Sequence, residues 1–135
     1  MCICCASDPL HSAINAGDMA KVRELIVTEN CVNRRSPCGK TPLMAACYIC
    51  HKEMILFFIA SGCVVDALDN TTGDTAAHYV THSLCGFTKQ CVCMMVLVEN
   101  QVDVSIANHD GYTVHELAEK NGNTDVAHTF ETLAH

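Results

Sequence analysis

The chain has 135 residues, 50% of them hydrophobic and 17% charged, which excludes a disordered polymer and leaves ample apolar surface for a core. Its formal charge of −7 repels phosphate and argues against a generic nucleic-acid binder. No stretch reaches the roughly 18 apolar residues of a membrane span; the longest, MILFFIASGCVV, is interrupted by Ser61 and Gly62.

The first residues, MCICCASD, lack both a basic segment and an apolar run, so no secretory leader is expected. Eleven cysteines in such a chain predict reduced thiols and a cytoplasmic or nuclear home. Their odd number forbids complete pairing within one chain. Cys2, Cys4 and Cys5 beside Ile3 form a candidate acylation cluster. The plainer alternative is that they cover the exposed edge of the first structural unit. N-myristoylation is excluded, because Cys2 stands where a glycine is needed.

From Asp8 onward the sequence repeats itself. DPLHSAINAGD aligns without a gap on TPLMAACYICH, and MAKVRELIVTENCVN then lies over KEMILFFIASGCVVD. A third copy begins at DTAAHYVTH and a fourth at YTVHELAEKNGN. Asp8, Thr41, Thr75 and Thr113 suit helix N-caps, and Pro9 and Pro42 suit the first helical turn. Gly39, Gly73 and Gly111 supply the turn before each cap. These signals predict inner helices over 9–16, 42–49, 76–83 and 114–121, and outer helices over 19–28, 52–60, 88–99 and 124–133. An extra residue falls near Thr71–Thr72, and a longer insertion within SLCGFTKQ.

The repeated core resembles that of ankyrin repeats, with their G-x-T-P-L-H-x-A-A start, V-V-x-L-L-L helix and G-A-D-V-N close. The resemblance runs from Asp8 to about Leu133, as units 9–41, 42–75, 76–113 and 114–135 after a Cys-rich segment, 1–8. It implies an all-α-type solenoid of helix-turn-helix units with turn or β-hairpin fingers, each unit burying its apolar face against its neighbours. MAKVREL and DVAHTFETL carry charges and hydroxyls where the central outer helices are apolar, as capping units require.

CYICH, Cys47 to His51, spells a haem-attachment spacing. In the repeat register, however, Cys47 replaces an alanine, Cys50 the helix-ending glycine, and His51 is the residue the family carries at that turn. Cysteine acts as a small hydrophobe, so packing is the expected role. Cys63 and Cys93 likewise replace an alanine and a core valine, Cys31 falls beside a finger, and Cys38 is expected exposed at a finger tip. One thiol group keeps a chemical reading: His82, Cys85, Cys91 and Cys93 offer ligands suited to zinc around the insertion. Against it, the resemblance gives His78 a structural role and points Cys93 at the core. No cofactor is expected. His11–Ser12 and His82–Ser83 lack a placed acid, no phosphate loop occurs, and an enzyme is not expected.

The resemblance implies a partner protein bound on the concave face made by finger tips and inner helices. In this sequence that face comprises Arg35, Lys40, Tyr48, Ile49, Leu68, Asn70, Thr71, Asp74, His82, His109 and Tyr112. Arg34, Arg35 and Lys40 ring the first finger, and Asp66, Asp69, Asp74, Asp103 and Asp110 the next two. A surface basic at one end and acidic beyond is therefore expected. On the opposite side, Leu56, Met95 and Val92 predict a small apolar patch for weak self-association of an otherwise monomeric chain, or for a second partner. The reading is a small adaptor or inhibitor whose partner carries a basic segment, by analogy with ankyrin inhibitors of Rel-type transcription factors. The alternative is a zinc- or thiol-dependent redox sensor on the same scaffold.

Overall fold

Three of the inner helices begin where a short polar side chain meets the unpaired amides of a first turn. Asp8 Oδ1 accepts from the Leu10 amide at 3.0 Å, Thr41 Oγ1 from Met44 at 3.2 Å and Thr113 Oγ1 from Glu116 at 3.3 Å. Pro9 and Pro42 follow their caps directly, where a missing N–H leaves no helical bond unmade. The computed structural model describes residues 8–29, 31–37, 39–83, 85–122 and 127–128. Within these lie α1 (Pro9–Ala16), α2 (Met19–Glu29), α3 (Pro42–Tyr48), α4 (Lys52–Ala60), α5 (Ala76–His82), α6 (Phe87–Glu99) and α7 (Val114–Lys120). The observed inner and outer helices match the expected ones to within a residue at each end. The expected last outer helix lies almost wholly outside the described residues.

The inner helices α1, α3, α5 and α7 pack in sequence, each against the next, and α4 packs on both α3 and α6. Leu10, Ile14, Leu43, Met44, Met54, Ile55, Phe58, Met94 and Leu97 form the layer between inner and outer rows, all at most 1% exposed. Ala46, Ala77 and Ala118 keep the inner helices close. In α2 the buried residues are Val22, Leu25 and Ile26.

The fingers are hydrogen-bonded turns, and no strand forms among the described residues. They are too short for a ladder: Ser36 N donates to Lys40 O at 2.8 Å, Asp69 N to Asp74 O at 2.8 Å, and Asn108 N to Tyr112 O at 2.9 Å. The middle finger is one residue longer, placing the expected extra residue near Thr71. A polar side chain at the base of each finger accepts from the amides above. Ser36 Oγ takes Lys40 N, Asp69 Oδ1 takes Thr71 N and Thr72 N, and Asn108 Oδ1 takes Asp110 N and Tyr112 N. Gly39 needs its positive φ of 88° and also its missing Cβ, which would meet Asn70 Cβ at 2.8 Å.

CYICH is resolved as packing. Cys47 is fully buried. Cys50 takes the left-handed conformation, φ 53°, of a helix-ending glycine. His51 is the N-cap of α4, its Nδ1 accepting from Met54 N at 3.3 Å.

The longer insertion, between α5 and α6, is held by an amide. Buried Gln90 directs Nε2 at Val80 O, Ser83 O and Ser83 Oγ, each at 3.1 Å. No three His, Cys, Asp or Glu among the described residues are placed to hold an ion. His82 turns to Asp74 instead, Cys93 faces the core, and Cys85 donates to Ile49 O at 3.4 Å. The structure thus does not gather His82, Cys85, Cys91 and Cys93, the residues of the zinc alternative, into one group.

Candidate functional site

Equivalent positions near the C-terminal ends of the inner helices place Asn15, Tyr48, His82 and Lys120 in one row beside the fingers. Tyr48 is 41% exposed and Leu68, on the finger that follows it, 43% exposed. Around Tyr48 the structure assembles more than the sequence indicated. Tyr79, from α5, meets the Tyr48 ring edge-on at 6.4 Å between centroids and the His82 ring at 6.3 Å. Lys40 Nζ lies 5.7 Å from the Tyr48 ring centre and 5.5 Å from that of Tyr79, within cation–π range. The Tyr79 hydroxyl donates to Asp69, tying the cluster to the middle finger.

Tyr79 was missed as a site residue because it is buried. Its signal was nevertheless present: it stands where the preceding repeat has Ala45. A large ring at a position built for a methyl group must displace something, and here it rises between Lys40 and His82.

His82 Nε2 reaches Asp74 Oδ2 at 3.3 Å. Burial alone would raise the Asp74 carboxyl. Hydrogen bonds from His82, Asn108 and Thr72 outweigh it and hold the group below the usual carboxylate range. Asp74 is buried, so it braces the face and is not itself a contact.

Farther along, His109 N donates to Thr72 O at 2.8 Å and His109 Nδ1 contacts Thr71 O at 3.1 Å, so one finger rests on the previous one. Lys120 Nζ stands 4.5 Å over the Tyr112 ring. Asn70 and Thr71 are exposed at the middle finger tip and Tyr112 is half-buried. Ile49, expected on the face, is half-buried and packs partly against the core.

Most of the charges in the expected gradient also make bonds within the fold. Arg34 pairs with Asp8 at 3.2 Å and Glu29 at 3.1 Å. Arg35 Nη1 donates to Gly39 O and Leu68 O. Asp66 accepts from the Asp103 amide, and Asp103 from Ser105. Lys40, over the Tyr48 and Tyr79 rings, and exposed Asp110 have no salt bridge among the described residues.

Two buried histidines lock neighbouring repeats together. His78 Nδ1 accepts from Thr75 N, and its Nε2 donates to Tyr112 O at 2.9 Å. His11 Nε2 donates likewise to Arg34 O at 3.0 Å. Burial lowers both pKa values from the ordinary 6.5 and keeps the rings neutral.

Helix pairs stacked in register and joined by capped turns define a helical repeat protein of the solenoid class. Its family follows directly. The family model for ankyrin repeats (three copies) matches residues 3–69, and the chain belongs to the ankyrin-repeat family, a protein–protein interaction module. Similar curated proteins include the probable E3 ubiquitin-protein ligase XBOS33 of Oryza sativa subsp. japonica, 36% identical over 76 residues. The E3 ubiquitin-protein ligase XBAT33 of Arabidopsis thaliana is 34% identical over 82 residues. The matches cover 56% and 58% of this chain, which spans only 15% and 16% of those proteins.

Among the described residues no helix is long and apolar enough to cross a membrane. Cys2, Cys4, Cys5 and Cys38 lie outside the described residues.

Proposed function

We propose that this chain binds a partner protein through its finger and inner-helix face, as an adaptor or inhibitor, with Tyr48, Lys40 and Leu68 at the centre. The observation that carries this reading is the Tyr48–Lys40–Tyr79–His82 cluster. It exposes an aromatic ring beside one cation, while Arg34, Arg35 and Asp74 nearby are bonded within the fold. An aromatic anchor amid satisfied polar groups is the usual make-up of a binding hot spot. Asn70, Thr71, His109 and Tyr112 extend the face along the fingers. The formal charge of −7 supports a partner with a basic segment, met by Asp110 and the acidic C-terminal half.

Cys31, Cys47, Cys50, Cys63, Cys85 and Cys93 are free thiols, which supports a reducing compartment, cytoplasm or nucleus. The likeness to two ligases lies in this repeat segment, so no ligase activity is carried over from it.

The test is capture of interacting proteins from a cell lysate on immobilised wild-type chain and on Tyr48→Ala/Leu68→Ala, both checked by circular dichroism. Proteins retained by the first and lost from the second, then confirmed by titration with the purified partner, support the reading. Equal capture by both folded chains would place binding elsewhere.

A further inference from the structure

The outer face carries a different arrangement. Where α4 packs on α6, a groove is lined by Lys52, Leu56, Val92, Met95, Val96 and Glu99. Leu56 and Met95 occupy equivalent repeat positions and remain 43% and 42% exposed. Beside them, at the corresponding place in α2, Arg23 closes the strip by pairing with Glu53 at 3.2 Å and covering the Phe57 ring at 5.6 Å. An apolar side chain in that position is thus confined to two adjacent repeats.

The two ends of the groove bear opposite charges. Lys52 opens α4 and Glu99 closes α6. Both are exposed, and neither forms a salt bridge among the described residues. Each also opposes its own helix dipole, a cation at an N-terminus and an anion at a C-terminus. Two local rules are therefore broken at the two ends of one exposed apolar strip, with no ion pair to Lys52 or Glu99 among the described residues. Conflicts of that kind mark surfaces shaped for something other than the isolated fold.

We infer that this groove seats a second copy of the same chain. Opposite charges flanking an apolar centre are exchanged by a two-fold axis that crosses the line joining them at its midpoint. The groove is therefore self-complementary in the isologous sense. Lys52 of each copy meets Glu99 of the other, and both mismatched helix ends gain the counter-charge they lack. Leu56 and Met95 of the two copies are covered between them. A uniformly basic or acidic peptide would satisfy one end and repel the other. The strip is small beside the roughly 1,600 Å² of a standard interface. Association is accordingly weak, dependent on concentration and weakened by salt.

Sedimentation equilibrium of the full chain, under reducing conditions at low ionic strength and from micromolar to millimolar concentration, tests this. Wild type should shift from monomer to dimer, while Lys52→Glu alone and Glu99→Lys alone should stay monomeric. An equimolar mixture of the two variants should dimerise again, because each glutamate then faces a lysine across the interface. Leu56→Glu/Met95→Glu should be monomeric with circular dichroism like wild type. A wild type still monomeric at millimolar concentration overturns the proposal. So does a mixture no more associated than its components, even if wild type dimerises, since the contact would then lie on another surface.

Discussion

Arg35 is bonded to Leu68 across repeats: its Nη1 donates to the Leu68 carbonyl at 2.8 Å and to Gly39 O at 2.7 Å. One guanidinium thus closes its own finger and fastens it to the next. This makes Arg35 a part of the scaffold and leaves Lys40 as the cation that can serve a partner. Arg35→Ala should lower unfolding free energy in urea by about 1–2 kcal/mol, the range for a charge-assisted bond at a partly exposed site. Lys40→Ala should cost much less. Equal losses for the two variants would contradict this division of roles.

Gln90 makes the same kind of argument for the inserted segment. Its amide is buried and directed at two carbonyls and a hydroxyl between α5 and α6. Gln90→Leu keeps the volume and removes the donor, leaving the Val80 and Ser83 carbonyls without that partner. A loss of about 2 kcal/mol in chemical denaturation is expected, concentrated in protection of the 80–90 amides against hydrogen exchange. A chelator should leave thermal unfolding of wild type unchanged. A marked fall in Tm with chelator would return the metal to consideration.

Stability should fall on mild acidification, and the sign follows from the two buried histidines. His11 and His78 have folded pKa values below 6.5, depressed chiefly by burial. The unfolded chain therefore takes up protons first as pH falls. Their contribution is complete above pH 6.5 and declines below it, by up to about 1.4 kcal/mol per pH unit for each ring. Asp74 acts lower down: its pKa is held under 3.8, so its contribution is present above that value and lost as pH falls through the lowered one. Urea titrations from pH 8 to pH 4 should show the histidine slope. In His78→Gln the slope below pH 6.5 should be shallower. A wild-type profile flat from pH 7 to pH 5 would refute the neutral-histidine account.

Thiol reactivity should follow burial and thiol acidity. Cys47 is inaccessible and its pKa is raised well above 9.0 by burial. Cys50 is raised by its contact with Cys93 and by burial, and half-buried Cys63 is pushed up to about 11, chiefly by burial. A thiolate is the reacting species, so native alkylation at pH 8 should reach Cys63 slowly and Cys47 only through unfolding. Labelling of Cys47 at a rate unaffected by stabilising or destabilising conditions would break the repeat register on which its placement rests.

The fold was legible because its signals are local and recur. A cap at Asp8, Thr41 or Thr113 and a proline at 9 or 42 each start a helix through contacts within a few residues, and the repeat multiplies the message. The candidate site was half legible. Exposed Tyr48 and Leu68 follow from register, since side chains that the layer between helices does not need point outward. Which charges are free could not be read the same way: Arg35 reaches a carbonyl 33 residues away, and Asp74 is consumed by Thr72, His82 and Asn108. Those pairings depend on how fingers lean on one another in three dimensions. Tyr79 shows the converse limit, for burial hid a ring whose size at an alanine position was visible in the alignment.

The sharpest prediction concerns Tyr48. Its ring is 41% exposed and touches the rest of the face edge-on at Tyr79 and through Lys40. Tyr48→Ala therefore removes surface a partner would cover while leaving the core layer intact. Binding of the partner should weaken by about 2 kcal/mol or more, the cost of losing a central anchor, with Tm close to wild type. Adding Ile49→Ala would confuse the result, because Ile49 packs partly on the core. Tyr79→Phe separates the two roles differently: it keeps the ring beneath Lys40 and removes the bond to Asp69. That variant should loosen the middle finger, lowering stability more than Tyr48→Ala does, while weakening binding less. Lys40→Gln should chiefly slow association at low ionic strength, with the difference closing as salt is added. If Tyr48→Ala binds as wild type does while Tyr79→Phe does not, the contact belongs to the finger tips around Asn70 and Thr71, and the aromatic cluster serves only to hold them in place.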